Sequence, residues 1–490
     1  MRRTAAPGAG RYRAGTMGND RRFPAMMAGW LTVALLCAAP HAPARAFEME
    51  MAPVVLNDTF SVPAWTSVTF LEPFDARPLV FVLPTNQGSD PATIRVRNVT
   101  TTGFEMLQVE PSANDGPHVS MTTAYLAIEP GNHVLPDGTR VVALERTTAA
   151  FANRLISVSW DLVAFPTAFT AAPAAIAQIQ TMASESQNPP GTTSAPFMEV
   201  SMRNLGPASV EITLERGEST AGTVLPERVG VVAIDNPASL SFVDGFGTAV
   251  TLQSIASPDN IQGWSNGCYT NVYPVPFAST PLAVASVNSR DGNNGGWIRR
   301  CSETSTALGL TVDEDIDNDS ERNHTTESAG IIAASVAFHA NFDVDLDIAK
   351  AVTTTWDPVN GASAPYSIPD ATVEYRIAVE NRGSRSPDTD SLTVTDDVPA
   401  NLSLCVTTSC LTGAPVELDV SNSPVPPGVT VGIIEYSDDN GATFGYVPDP
   451  DTAGYDPDIN AIRITLNGVF GSISTSGPPS FELVLGAKIQ

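Results

Sequence analysis

Lysine is almost missing from this chain. Only Lys350 and Lys488 occur among 490 residues, and 26 basic side chains face 53 acidic ones, a formal charge of −27. That balance excludes nucleic acid and anionic membrane as partners, since both select a positive face. Long helical periodicities are absent, which excludes a helical bundle, and beyond the N-terminus no apolar run has the length of a membrane helix, so no membrane insertion is expected. No HExxH, GxSxG, phosphate-loop or dinucleotide fingerprint occurs. His118, His133, His324 and His339 are scattered over strands and turns. The expectation is therefore a protein that is not an enzyme, with paired glycosidase carboxylates left open because their separation is set in three dimensions.

What is present begins with a leader. Six arginines precede the apolar run 25–40, and Ala44-Arg45-Ala46 has the small-x-small form of a cleavage site. Residues 1–46 read as a secretory signal peptide, with Met17 a plausible start. The Arg21-Arg22 pair hints at twin-arginine export, but the residues after it suit general secretion better. Without the leader's seven arginines and one aspartate the formal charge becomes −33. A secreted, extracellular or cell-surface protein is expected, with glycans or surface proteins as partners. Cys37 leaves with the leader. The remaining even count argues for two disulfides, and proximity favours Cys268–Cys301 and Cys405–Cys410.

Gly and Pro punctuate short runs of strand formers throughout, the composition of an all-β array. One nine-residue phrase is written three times: Phe70-x3-Phe74-x3-Pro78, Phe165-x3-Phe169-x3-Pro173 and Tyr273-x3-Phe277-x3-Pro281. Each runs into a short apolar strand, where the proline's missing N–H costs nothing. The copies start 95 and then 108 residues apart, the length of small domains. The aromatics read as core anchors of a β-sandwich, or alternatively as sugar-binding rings. The phrase, with Arg95-Val-x-Asn-Val-Thr-x-Thr-Gly-Phe104, resembles the H-type lectin family. That resemblance implies antiparallel β-sandwiches of about a hundred residues that bind sugars such as N-acetylgalactosamine, often as trimers, so a homo-oligomer is possible. The family's sugar-contacting residues do not map onto this chain one by one, so the likeness bears on fold before activity.

Three lectin-like copies are thus expected at 47–150, 151–240 and 241–340, the second the most degenerate. Aligning His118 with His324 sets Ala127 on Ala333, and Glu227-x2-Gly230-x2-Ala233 matches Glu327-x2-Gly330-x2-Ala333. The third copy carries the polar loop. Its segment with Arg290, Asp291, Asn293, Asn294 and Trp297 combines a flat apolar ring with planar amide, carboxylate and guanidinium groups, the residue types a sugar requires. The other reading is a Gly/Asn turn whose tryptophan covers the disulfide. Downstream, Asp313, Asp315, Asp317, Asp319 and Glu321 fall at every second residue. Curled, they could hold calcium, although Asn318 stands where an EF-hand has glycine. Extended, they form a solvated face, or pair individually with Arg299, Arg300 or Arg322.

Residues 341–490 change character. The Lys350 strand, Tyr375-x-Ile-x-Val-x-Asn381-x-Gly383 and Asp396-x2-Pro399 resemble the bacterial surface-protein repeat known as domain of unknown function 11. That likeness implies an immunoglobulin-like sandwich used as a stalk or spacer. A core Lys–Asn cross-link of the kind some related folds make would fall on Lys350 and Asn381. The expected whole is a row of tandem antiparallel β-sandwiches that binds carbohydrate or mediates adhesion, or else a structural surface protein without a small ligand.

Overall fold

The computed structural model describes residues 34–35 and 47–490, apart from 61–63, 112–117, 136, 156–158, 186–192, 195–196, 219–222 and 411–414. The leader, the Asn114-Asp-Gly116 turn and most of the loop 187–193 therefore lie outside the described residues. The described chain is all β: strands throughout, and a single 3-10 turn at Trp264–Asn266. It forms two compact units that part at Ala340 and Asn341.

In the larger unit each copy of the phrase seeds one sandwich. The first copy has a sheet in the order Phe338–Asn341, Glu48–Leu56, Met121–Ile128, Leu79–Val82, facing Thr66–Thr69, Gly103–Pro111 and Thr93–Arg97. The second orders Gly131–Val134, Arg140–Thr148, Glu227–Ile234, Ala174–Ile179 against Asp161–Ala164, Ser209–Glu215 and Glu199–Arg203. The third orders Ala238–Val243, Ala249–Ala256, Ala329–Ala334, Leu282–Val287 against Tyr269–Val272, Ala307–Asp313 and Trp297–Glu303. Alternation decides the faces. Ile94 and Val96 point into the first core, and Thr93, Arg95 and Arg97 point away from it.

This order moves two boundaries. The hairpin of strands Gly131–Val134 and Arg140–Thr148 pairs with Glu227–Ile234, so the second copy starts before Gly131 and not after residue 150. Likewise Ala238–Val243 opens the third copy's hairpin, ahead of the expected 241. Among the described residues the first copy has no such hairpin of its own. Its edge strand is Phe338–Asn341, returned from the far end of the unit, with His339 Nδ1 2.9 Å from the Glu50 carboxylate.

The phrases themselves are equivalent. Their two rings meet edge to face with centroids 4.9, 5.2 and 5.0 Å apart. In each copy the two aromatic N–H groups donate to matching loop carbonyls: Thr102 and Thr101, Ala208 and Pro207, Thr306 and Ser305. The rings are buried core anchors, as one reading expects. The strands Leu79–Val82, Ala174–Ile179 and Leu282–Val287 touch one another pairwise, so the three sandwiches surround a common line. Gly230 and Gly330 allow this approach. A Cβ at Gly330 would overlap the Ala175 carbonyl, and one at Gly230 would press on Leu79 and Phe81.

One clamp differs. In the first copy Arg97 lies 3.8 Å over Trp65 and pairs with Glu105 at 2.7 Å, and Asn98 adds a 2.8 Å bond. The second repeats this with Arg203 over Trp160, Glu211 and Asn204. At the corresponding sequence positions the third copy has Cys268, Cys301 and Gly309; a bulge after Arg300 sets Ser302 opposite Gly309, and the Cys268–Cys301 disulfide replaces the stack. A Cβ at Gly309 would meet Ser302 Oγ, which leaves no room for the glutamate.

The second unit packs a sheet ordered Leu346–Trp356, Thr372–Asn381, Ser480–Ile489, Leu402–Cys405, Tyr455–Asp456 against one of Thr393–Asp397, Ala461–Gly468 and Val429–Ser437. Cys405–Cys410 is its disulfide. Lys350 Nζ bonds both oxygens of Asp396, at 2.8 and 2.6 Å, over the Tyr375 ring. The Asn381 amide donates instead to the Arg385 and Gly471 carbonyls, so Lys350 and Asn381 do not meet.

Candidate functional site

The polar loop of the third copy ends in the seam between copies. Eight residues before the strands Gly103–Pro111, Ser209–Glu215 and Ala307–Asp313 sits one equivalent position: Arg95, Ser201 and Arg299. All three point outward, toward a neighbouring sandwich. Arg95 reaches into the second copy and binds Glu185 through Nε and one terminal nitrogen (2.6 and 2.9 Å) and Glu199 at 3.0 Å. Arg299, fully buried, reaches into the first copy, donating to the Thr85 and Asp90 carbonyls and holding Asp313 at 2.5 Å. The second copy has only Ser201. Its seam is closed by Arg290, which enters from the third copy and takes Glu215 through Nε at 2.6 Å. Every seam therefore contains an arginine paired with carboxylate, Arg95 and Arg299 buried and Arg290 half-buried, the geometry that satisfies a guanidinium drawn away from water.

The candidate ligand residues follow from this. Trp297 is 6 % exposed, its ring 4.9 Å from Phe197 and its Nε1 donating to the Ala92 carbonyl at 3.0 Å. With Leu107, Val109 and Phe197 it forms an apolar cluster drawn from all three copies. It offers no open face to a sugar, and it does not cover the disulfide either. Arg290 is held by Glu215, and Asn293 donates to the Arg154 carbonyl at 3.2 Å. Asn294 is half-buried, and the Asp291 side chain is exposed while its N–H bonds Glu327. The glycines between them serve packing. A Cβ on Gly292 would collide with the His324 ring, and Gly295, at φ +74°, rests on Gly217.

The alternating carboxylates divide in the same way. Asp313 is clamped by Arg299 and by Arg322, whose Nε and terminal nitrogen both lie 2.7 Å from it. Arg300 turns elsewhere, to Glu303 and to the Thr122 carbonyl. Asp315 accepts the Glu218 and Asp317 N–H groups, and its carboxyl is pushed up to about 7 by burial. Asp319 shares Arg154 with Glu218. Glu321 accepts the Asn323 N–H at 2.8 Å. Among the described residues no group of three or more His, Cys, Asp or Glu side chains is arranged to hold a metal.

A further perturbed carboxyl lies on a residue that the alternation skips. Glu314 is 1 % exposed and accepts no hydrogen bond within the described residues. Burial, then the charges of Glu321, Glu218, Asp313 and Asp315, push its carboxyl up to about 9. His324 stands between it and Glu327, with Nδ1 3.4 Å from Glu314 and Nε2 3.6 Å from Glu327. Burial drives the imidazole down to about 4. At neutral pH the pair is an uncharged acid beside an uncharged imidazole. A small pocket opens here, lined by Ser201, Ser289, Arg290, His324 and Glu327, at the place the third seam arginine leaves vacant. Glu327 accepts the N–H groups of Asp291 and Gly292 and the Ser289 hydroxyl, so its carboxylate orders the loop. Glu227 does the same in the second copy, for Ser184 N and Thr181.

Arg95, Glu185, Glu215 and Glu218 were not legible as site residues. The one available signal was Arg95 alternating with Val96, an arginine on a face that a free sandwich would leave wet. No protein-family model, curated protein or solved structure matches the chain.

Proposed function

We propose that the chain is an exported, non-enzymatic adhesion or carbohydrate-binding protein whose three-copy unit is a structural body. On this reading the loop 290–297 fastens the copies together, and contacts with glycans or surface proteins are made from exposed faces. One observation carries the reading: Arg290, Asn293 and Trp297, the loop's best ligand groups, are already bonded or packed against a neighbouring copy. The fate of His324 points the same way, since it is enclosed by glycine backbone and by the Glu314 and Glu327 carboxylates, and the Ser289 hydroxyl nearby is spent on Glu327. Two disulfides are compatible with an oxidising compartment, and among the described residues no helix is long and apolar enough to cross a membrane. The test is a glycan array and a bead-agglutination assay with the secreted chain and its W297A and R290A variants, each followed by a thermal melt. Both variants should lose secreted yield and melt several degrees lower. A W297A chain that melts like the parent but has lost its glycans would restore the loop as the ligand site, and release of reducing sugar would overturn the non-enzymatic reading.

A further inference from the structure

The second unit carries two exposed aromatic side chains that the seams do not use, Trp356 and Tyr366. Its edge strand Leu346–Trp356 runs into a loop closed on itself: Asp357 N donates to the Gly361 carbonyl at 3.0 Å, and Gly361 N returns to Asp357 at 2.9 Å. Gly361 takes φ +62°, a conformation that favours glycine. The Asp357 carboxylate, fully buried, gathers four donors: Val359 N at 2.6, Asn360 N at 2.7, Asn360 Nδ2 at 3.2 and Tyr366 N at 2.6 Å. Those bonds fix both ends of the loop and turn its one charge inward. Outside it stand Trp356, 43 % exposed, Val359, 76 %, and Tyr366, 65 %. Thr354 and Ser367 share a 2.7 Å hydroxyl contact alongside.

We infer that this loop, residues 356–366, is a carbohydrate-binding platform for neutral pyranose chains. Three arguments select that ligand. Pyranose rings present a C–H face that stacks on aromatic side chains, and their hydroxyls match a rim of serine, threonine and asparagine. The patch is small: its side chains offer at most a few hundred Å², against roughly 800 Å² per partner in a stable protein interface. The loop is also pre-organised, so ordering it on binding costs little. A neutral sugar suits a chain whose formal charge is −27. The inference rests on the adhesion reading only in taking glycan as the ligand, and it moves the site out of the three-copy unit.

The experiment is calorimetric titration of the full secreted chain with xylohexaose, cellohexaose, maltohexaose and chitohexaose, repeated for W356A, Y366A and the control V447A, which removes an exposed valine elsewhere in the unit. At least one probe should bind the parent, W356A and Y366A should each weaken it tenfold or more, and V447A should bind as the parent does. Melting midpoints should be unchanged, since all three side chains are exposed. Equal binding by parent, W356A and Y366A would overturn the platform and leave the adhesion reading standing. A parent that binds none of the probes yet agglutinates beads would overturn the sugar assignment alone, and one that does neither would overturn both.

Discussion

At the residue scale, buried arginines decide what the third copy's loop can do. Arg299 lies at full burial with Asp313 and two carbonyls of the neighbouring copy. Removing one member of such a pair strands the other, at a cost of about 3–5 kcal/mol. R299M should therefore lose about that much in urea unfolding, and a loss under 1 kcal/mol would show that the seam does not depend on it. Glu314 gives a pH test. Its carboxyl, raised to about 9 by burial and by Glu321, Glu218, Asp313 and Asp315, holds a proton in the folded chain that the unfolded chain has already released. Its contribution to stability is complete below the ordinary glutamate range and is lost as pH rises toward 9. Melting midpoints should fall between pH 6 and 9 in the parent and fall less in E314Q. His324, lowered to about 4, acts in the opposite sense, costing stability as pH drops from about 6.5. Because Asp313, Asp315 and Asp319 are each engaged separately, millimolar calcium should shift the midpoint by less than about one degree. A rise of several degrees would show the carboxylates regrouping around the ion.

At the scale of elements, the copies exchange one clamp for another. Trp65 with Arg97 and Trp160 with Arg203 correspond in sequence to Cys268 and Cys301, and Glu105 and Glu211 to Gly309. The disulfide closes a sequence separation of 33, worth about 3–4 kcal/mol on chain entropy. Because Ser302 Oγ occupies the place of a Cβ at Gly309, the triple variant C268W/C301R/G309E should melt several degrees below the oxidised parent and lose the response to dithiothreitol that arises from this bond. A variant that fails to fold would show the clamps are not interchangeable. The comparison also shows what the sequence makes legible. The phrase beginning at Phe70, Phe165 and Tyr273 could be read because ring, spacing and proline are local and repeated. Trp297 misled because a seam and a sugar site draw on the same residue types, and only burial separates them. The copy boundaries slipped because the hairpin 131–148 is continuous with the first copy in sequence and hydrogen-bonded to the second in space. The burial of Arg95 is not legible in the sequence, because nothing local tells of the sandwich laid against it.

At the scale of the molecule, two compact units with separate cores imply two unfolding steps. Calorimetry should resolve two transitions, and a chain ending at Ala340 should retain the larger one, while a single concerted transition would contradict that division. Within the larger unit the cores are bound to each other through Arg95, Arg290 and Arg299, so its three copies should melt together. The strand Phe338–Asn341, lying beside Glu48–Leu56, sets the timetable of maturation. As the polypeptide is synthesised N-terminus first, its earliest sandwich stays one strand short, with an open edge, from the completion of Met121–Ile128 until Phe338–Asn341 has been made. Whatever protects that nascent edge has to work over the whole interval, and the first sandwich begun is the last completed.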